Sequence, residues 1–172
     1  MNAVMQTSAI VTVRTGTSGK LANPEVPTLD YAIGISEDRA IFIAITRNAE
    51  GGYFSQEWIA ISDLLDLLNS LDASNKPFSS KVLLQVFKGK SCNNAGFMTA
   101  VLHKEHLIRL ADKPFAFLLH DEWDEWIKTQ LALALDNQPE PEPEAEAEAE
   151  AEIVPGTDVP DGAVRQERGK KR

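Results

Sequence analysis

The chain has 172 residues, of which 43% are hydrophobic and 25% charged, and its formal charge is -9. This balance is typical of a globular protein and excludes a collagen-like or wholly disordered chain, while the length allows one domain with a sizeable core. The single cysteine, Cys92, excludes an internal disulfide, and no apolar run approaches the roughly 18 residues of a membrane span. We therefore expect a cytoplasmic protein with no membrane partner.

Residues 1–28 are predicted to form a flexible segment before the domain. The N-terminal residues lack the basic start and the apolar length of a signal peptide. Thr15–Thr28 (TGTSGKLANPEVPT) is rich in Gly, Ser, Thr and Pro, a composition that favours turns and buries little apolar surface. The folded domain is therefore expected to span residues 29–137.

A first unit of strands followed by a helix is predicted over residues 31–71. YAIGI and AIFIAIT are β-branched apolar runs of strand length, and the turn at Ser36–Asp38 joins them. A turn with two adjacent glycines at 48–52 leads into a third strand, Tyr53–Ile61. Ser62 then stands where the N-cap of a leucine-rich amphipathic helix belongs.

The same order is predicted to recur in the second half of the chain. Here we expect a strand at Lys81–Phe87, a polar loop at Lys88–Gly96, a strand at Phe97–Leu102, and a short helix from Lys104 that Pro114 stops. At an offset of 41 residues the apolar positions of the two halves coincide, with Ile41, Ile43 and Ile45 aligning with Val82, Leu84 and Val86. Both a degenerate duplication and a coincidence of a common local arrangement remain open.

The last elements complete an expected α+β fold. After Pro114 the run FAFLL predicts a final strand, and Asp121–Leu135 has the 3.6-residue apolar period of a helix. We predict an antiparallel sheet built from two ββα-like units, with helices packed on one face and a C-terminal amphipathic helix. Residues 138–172 are expected to be a disordered acidic tail with a basic end, which aids solubility or competes with a bound polyanion.

No motif in the sequence supports a catalytic or cofactor site. Gly89–Ser91 reads GKS, but Leu84 stands where a phosphate-binding loop needs glycine. Cys92 has no surrounding nucleophile motif, and His103 with His106 lacks an evident third metal ligand. The carboxylates of Asp121–Glu125 fit the first turn of a helix better than an acid/base site. We expect no catalytic residue, no metal and no cofactor, and hence no enzyme.

Aromatic and basic residues gather on the predicted strands and hairpin loops. Rings that stack on bases, interleaved with cations that meet phosphates, are what single-stranded nucleic acid binding requires. Lysine and arginine on hairpins also deter edge-to-edge aggregation, and the rings alternatively fill the core. The candidate nucleic-acid-binding residues are Arg47, Tyr53, Phe54, Phe87, Lys88 and Lys90.

The element order also resembles a known class of proteins. The stretch YAIGISEDRAIFIAITRNAEGGYFSQEWIAISDLLDLLNSL, with a weaker second copy over residues 81–111, resembles the Pur-alpha and Whirly type of single-stranded nucleic acid binding fold. The resemblance implies binding of single-stranded DNA or RNA by a homodimer. The alternative is a protein-interaction module, an accessory or inhibitor protein that recruits a partner through a sheet edge or the acidic tail.

Overall fold

The computed structural model describes residues 9–89 and 91–136, and it confirms the α+β class. The described residues form two antiparallel sheets, three α-helices and one 3₁₀ helix. The strands are β1 (Ile10–Ser18), β2 (Leu29–Ser36), β3 (Ile41–Asn48), β4 (Ile59–Ala60), β5 (Phe78–Ser79), β6 (Ile108–Leu110) and β7 (Ala116–Leu119). The helices are α1 (Ile61–Ser70), the 3₁₀ helix Ser80–Val86, α2 (Asn93–Lys104) and α3 (Trp123–Asp136).

The larger sheet has the order β1-β2-β3-β4, and its alternating side chains define two faces. The inner face carries large apolar residues that belong to the main core: Leu29, Tyr31, Ile33, Ile35, Ile41, Ile43 and Ile45. Residues from α1, α2 and α3 belong to the same core, among them Leu64, Met98 and Trp123. The helices therefore pack on the inner face, as predicted.

The opposite side, which we call the open face, carries small, polar and aromatic residues. The pairing register places these residues in rows across the strands: Thr12, Thr15 and Thr17 from β1, Asp30, Ala32 and Gly34 from β2, and Phe42, Ala44 and Arg47 from β3. The three threonines and Arg47 are exposed, whereas the two alanines are buried between their larger neighbours.

The prediction of a flexible segment before residue 29 is wrong for β1. Residues 10–18 pair antiparallel with β2 along their whole length, with a register shift between Thr12 and Arg14. Thr15 and Thr17 have the β-branched side chains that suit a strand, and a partner strand satisfies the backbone regardless of the local turn composition. The prediction for residues 1–8 lies outside the described residues.

Within the first unit, the hairpin of β2 and β3 is confirmed, but the third strand and the helix cap differ from the prediction. Only Ile59–Ala60 of the predicted strand Tyr53–Ile61 pairs with β3, because the preceding residues form a loop. Helix α1 begins at Ile61 with Ala60 as its N-cap and no side-chain cap, so Ser62 does not cap it.

The second ββα-like unit is not formed. The predicted strand Lys81–Phe87 is largely a 3₁₀ helix, which the side chain of Ser79 caps by accepting a hydrogen bond from the Lys81 N–H at 3.3 Å. The predicted strand Phe97–Leu102 lies inside α2, and the predicted helix beyond Lys104 gives way to β6. A short apolar run fits a buried helix as well as a strand, which is the physical reason for this error. The final strand, β7, and the final helix, α3, are confirmed.

Candidate nucleic-acid interface

Two loops that are far apart in sequence meet beside the larger sheet. The carbonyl oxygen of Tyr53 accepts hydrogen bonds from the Ser91 hydroxyl at 2.6 Å and from the Asn93 side-chain amide at 2.9 Å. The Ser55 N–H donates to the side-chain oxygen of Asn94 at 2.8 Å. These bonds hold the loop at 49–58 against the start of α2.

The three aromatic residues predicted from the sequence have different surroundings. Tyr53 is 76% exposed. Phe54 is half-buried and meets the Phe97 ring edge to face, with 6.0 Å between the ring centroids. Phe87 is also half-buried and packs against the core. Tyr53 is thus the ring of the three that is most available to a ligand.

Two of the predicted cations, Lys88 and Arg47, lie beside carboxylates. Glu57 accepts hydrogen bonds from the backbone N–H groups of Lys88 at 3.0 Å and Gly89 at 2.8 Å. Burial opposes ionisation of Glu57, but these bonds, the Ser55 hydroxyl and the Lys88 charge together hold the pKa of Glu57 below its usual value. The Lys88 side chain is exposed. The negative charge of Glu57 therefore lies next to the backbone of the residue that carries the positive charge.

Arg47 lies on the open face, where it pairs with Asp30. Their closest nitrogen and oxygen atoms are 3.5 Å apart, and the Arg47 side chain is largely exposed, whereas that of Asp30 is partly exposed. Asp30 is also the cross-strand partner of Thr17, so Thr17, Asp30 and Arg47 form one row across the sheet. Lys90, the remaining predicted cation, lies outside the described residues.

The open face holds two rings that the sequence-based prediction missed, Phe42 and Trp58. A β carbon placed on Gly34 would lie 2.5 Å from Cγ2 of Ile10 and 3.0 Å from Cη2 and Cζ3 of Trp58, so the Ile10 side chain and the indole both cover this glycine. Phe42 pairs with Gly34 across the strands and therefore points to the same side. Both rings are half-buried, yet neither belongs to the side chains that pack against the core.

A signal for Phe42 was present in the sequence. In the run IFIAIT the three isoleucines alternate with Phe42 and Ala44, so a strand that buries the isoleucines must turn Phe42 to the opposite face. For Trp58 no comparable signal exists, because its position over Gly34 depends on the pairing of β4 with β3.

Behind the sheet, on its inner face, a buried polar cluster joins β1 and β2 to the ends of α2 and α3. Glu105 accepts hydrogen bonds from both terminal nitrogens of Arg14, from the Tyr31 hydroxyl and from the Trp126 indole N–H. Arg14 also donates from Nε to the side-chain oxygen of Gln130 at 2.8 Å. The Glu105 side chain is 9% exposed. We call these five residues the Glu105 cluster.

The Glu105 cluster shifts the pKa values of its members in opposite directions. Burial alone would raise the pKa of Glu105, but the hydrogen bonds from Arg14, Tyr31 and Trp126 outweigh it and lower the pKa below the ordinary 4.5. Burial, aided by the neighbouring carboxylate of Glu105, raises the pKa of Tyr31 to about 12. Near neutral pH the cluster therefore holds an ionised carboxylate, a guanidinium and a neutral phenol.

Comparison with protein families, curated proteins and solved structures gave no match to this chain. In the part of the chain that the structure describes, no three His, Cys, Asp or Glu side chains are grouped so as to hold a metal ion. Residues 9–89 and 91–136 include no helix with the length and apolar character needed to cross a membrane.

Proposed function

We propose that the protein binds single-stranded nucleic acid across the open face of the larger sheet and that it catalyses no reaction. The observation that carries this proposal is the pair of half-buried rings, Phe42 and Trp58, on the side of the sheet away from the core. A planar base can lie against the accessible part of either ring. Stacking of a base on an aromatic side chain contributes about 1–3 kcal/mol and tolerates any sequence.

The arrangement of the first half of the chain supports this binding mode. Antiparallel strands precede α1, as the resemblance to the Pur-alpha and Whirly type implies for the first unit. The second half does not repeat this order, so the proposed stacking surface comes from the first half of the chain, and the second half contributes Lys88.

The charges near the open face favour stacking over electrostatic attraction as the main source of affinity. Arg47 and Lys88 can meet phosphates, but Asp30 and Glu57 lie beside them and offset part of their charge. Since few counterions would be released on binding, the affinity should fall only weakly as salt rises. The acidic tail is proposed to compete with the strand for these cations.

Replacing Trp58 with alanine is expected to weaken binding of a fluorescein-labelled single-stranded oligonucleotide about tenfold, because one stacking contact is lost. Fluorescence polarisation at low salt measures this change, with Phe42→Ala as a second variant of the same face. Phe115→Ala is the matched control, because Phe115 is 81% exposed but lies in the smaller sheet's β6–β7 connection. A chain without residues 138–172 should bind more tightly if the tail competes.

The same measurement distinguishes binding at the open face from binding at the two loops. If Tyr53→Ala abolishes binding while Trp58→Ala and Phe42→Ala have no effect, the strand binds at the loops and the open-face site is wrong. If the full chain and the tail-deleted chain both fail to bind DNA and RNA oligonucleotides, nucleic acid binding itself is wrong.

A second candidate function, a protein-interaction module, is favoured by an apolar groove beside β1. This groove, of about 480 Å³, lies between β1 and the end of α3. Val11, 65% exposed, and Leu135, 55% exposed, line this groove. The one charge on β1, Arg14, is met by Glu105, so two copies of the chain could meet at this groove without like-charge repulsion.

If β1 mediates such a homodimer, Val11→Asp is expected to convert it to a monomer, because the substitution places a charge in the apolar groove. Sedimentation equilibrium at micromolar concentration measures the change. Val26→Asp is the matched control, since Val26 is also an exposed valine but lies in the β1–β2 connection. A wild-type chain that remains monomeric under these conditions excludes pairing at this groove.

A further inference from the structure

A second cleft, of about 470 Å³, lies where β1 ends and α2 ends. One wall is the connection from β1 to β2, and the other wall is the last turn of α2 with the residues that follow it. Thr17, the first residue of the row that continues through Asp30 to Arg47, lines the cleft. The other lining residues are Ser18, Gly19, Pro24, Glu25, Pro27, His103, Lys104 and His106.

Three of the lining residues can carry positive charge, and they follow one another closely in the chain. His103 is half-buried, whereas Lys104 and His106 are exposed. His106 has a positive φ of 59°, which turns the chain back beside the helix end. Burial, together with repulsion from a protonated His106, lowers the pKa of His103.

The end of a helix ordinarily disfavours an anion, because its last carbonyl groups point outward. Here those carbonyls already accept hydrogen bonds: Val101 from the Glu105 N–H at 2.9 Å, Leu102 from the Leu107 N–H at 2.9 Å, and His103 from the His106 N–H at 3.2 Å. The one carboxylate that lines the cleft is Glu25, on the opposite wall. An anion in this cleft would therefore meet the Lys104 ammonium, two imidazoles that can take up a proton, and one negative group.

We propose that this cleft binds a phosphate monoester, held between the His103 and His106 imidazoliums and the Lys104 ammonium. A dianionic phosphate offers several acceptor oxygens to these donors, and each charge-assisted hydrogen bond is stronger than a neutral one. The phosphate is either free or the 5′ end of a nucleic acid strand bound on the open face. Thr17 lies both on the open face and in the lining of the cleft. Only the second source rests on the function proposed above.

The test follows the imidazole resonances of the full-length chain by NMR while inorganic phosphate is added at several pH values. The chain has three histidines, so His120, which does not line the cleft, is an internal control. The His103 and His106 resonances are expected to move towards their protonated positions when phosphate is added, because a bound anion favours the imidazolium. No movement of either resonance, or equal movement of His120, would overturn the proposed cleft site.

Substitutions then test the contribution of each charge at pH 6. The double variant His103→Gln and His106→Gln should bind inorganic phosphate about tenfold more weakly, whereas Glu25→Gln should bind it more tightly. Phosphate affinity that is unchanged in both variants would contradict the site. The wild-type titration remains decisive if the double variant does not fold.

Comparison of 5′-phosphorylated with 5′-hydroxyl oligonucleotides distinguishes the two sources of phosphate. A preference for the phosphorylated strand that disappears in the double histidine variant assigns the cleft to a strand end. Phosphate binding without such a preference assigns it to a free phosphate monoester. Failure of the open-face function is recognised separately, because Trp58→Ala then leaves oligonucleotide affinity unchanged while the histidines still respond to phosphate.

Discussion

Replacing Arg14 with methionine is expected to lower the free energy of unfolding by about 3 kcal/mol, because it leaves the Glu105 carboxylate buried without its cation. Methionine keeps much of the arginine stem and its packing, so the change isolates the charge and its hydrogen bonds. Arg14 contacts Glu105 with both terminal nitrogens and Gln130 with Nε, which is more than a surface ion pair provides. Urea unfolding followed by circular dichroism measures the loss.

The matched control is Lys128→Met, which breaks the exposed pair of Lys128 with Glu125 at 3.7 Å. Such exposed pairs contribute little to stability, so this variant should unfold close to the wild type. Equal destabilisation of both variants, or a neutral Arg14→Met, would show that the Glu105 cluster is not a source of stability.

The pH dependence gives a second readout of the Glu105 cluster. Because the folded pKa of Glu105 is lowered from 4.5, the stabilisation it gives is complete above pH 4.5 and is lost as the pH falls through the lower, folded value. Because the folded pKa of Tyr31 is raised from 10.0 to about 12, its stabilisation is lost as the pH rises across that interval. In the Arg14→Met variant, the loss of stability on acidification should begin at a higher pH than in the wild type.

The elements that the sequence predicted correctly are those whose pattern is local and long. The alternation of isoleucines in β2 and β3 and the 3.6-residue period of α3 determine both the type of element and its buried side. Helix α1 is marked in the same way by its leucines, although its cap at Ala60 was missed.

The second half of the chain was missed because its local signals are ambiguous. The apolar alternation in Lys81–Phe87 predicts an inward Leu84, whereas the structure buries Leu83 and exposes Leu84. Helix α2 is buried on nearly every side, so it lacks the polar face that would distinguish it from a strand. In both segments the surrounding core decides the conformation.

In the candidate site, too, residues marked by local sequence were predicted, and residues brought together by the tertiary fold were not. Tyr53 and Lys88 were identified from composition, and their loops do meet in the structure. The Glu105 cluster was not predicted, because Arg14 and Glu105 are 91 residues apart and no pattern links them. Its members come from two strands, a helix cap and α3, which only the tertiary fold brings together.

Replacing Gly16 with alanine is expected to destabilise the fold by about 2 kcal/mol, because a β carbon at this position would overlap Cζ and Oη of Tyr31. The two residues are cross-strand partners on β1 and β2, and the Tyr31 ring lies over the glycine on its way to Glu105. The ring cannot swing aside without losing that hydrogen bond. The alanine variant should therefore also weaken the Glu105 cluster, which urea unfolding would report as a lower free energy of unfolding.

A double-mutant cycle with Tyr31→Leu tests this mechanism. Leucine has no atoms at the Cζ and Oη positions, so Gly16→Ala should cost much less in the Tyr31→Leu background than in the wild type. A cost that is the same in both backgrounds would assign the effect to the backbone of β1, since alanine there would then not be clashing with the ring. The predicted coupling identifies Gly16 as the residue that lets β1 approach Tyr31, and so lets Arg14 and Tyr31 reach the same carboxylate from neighbouring strands.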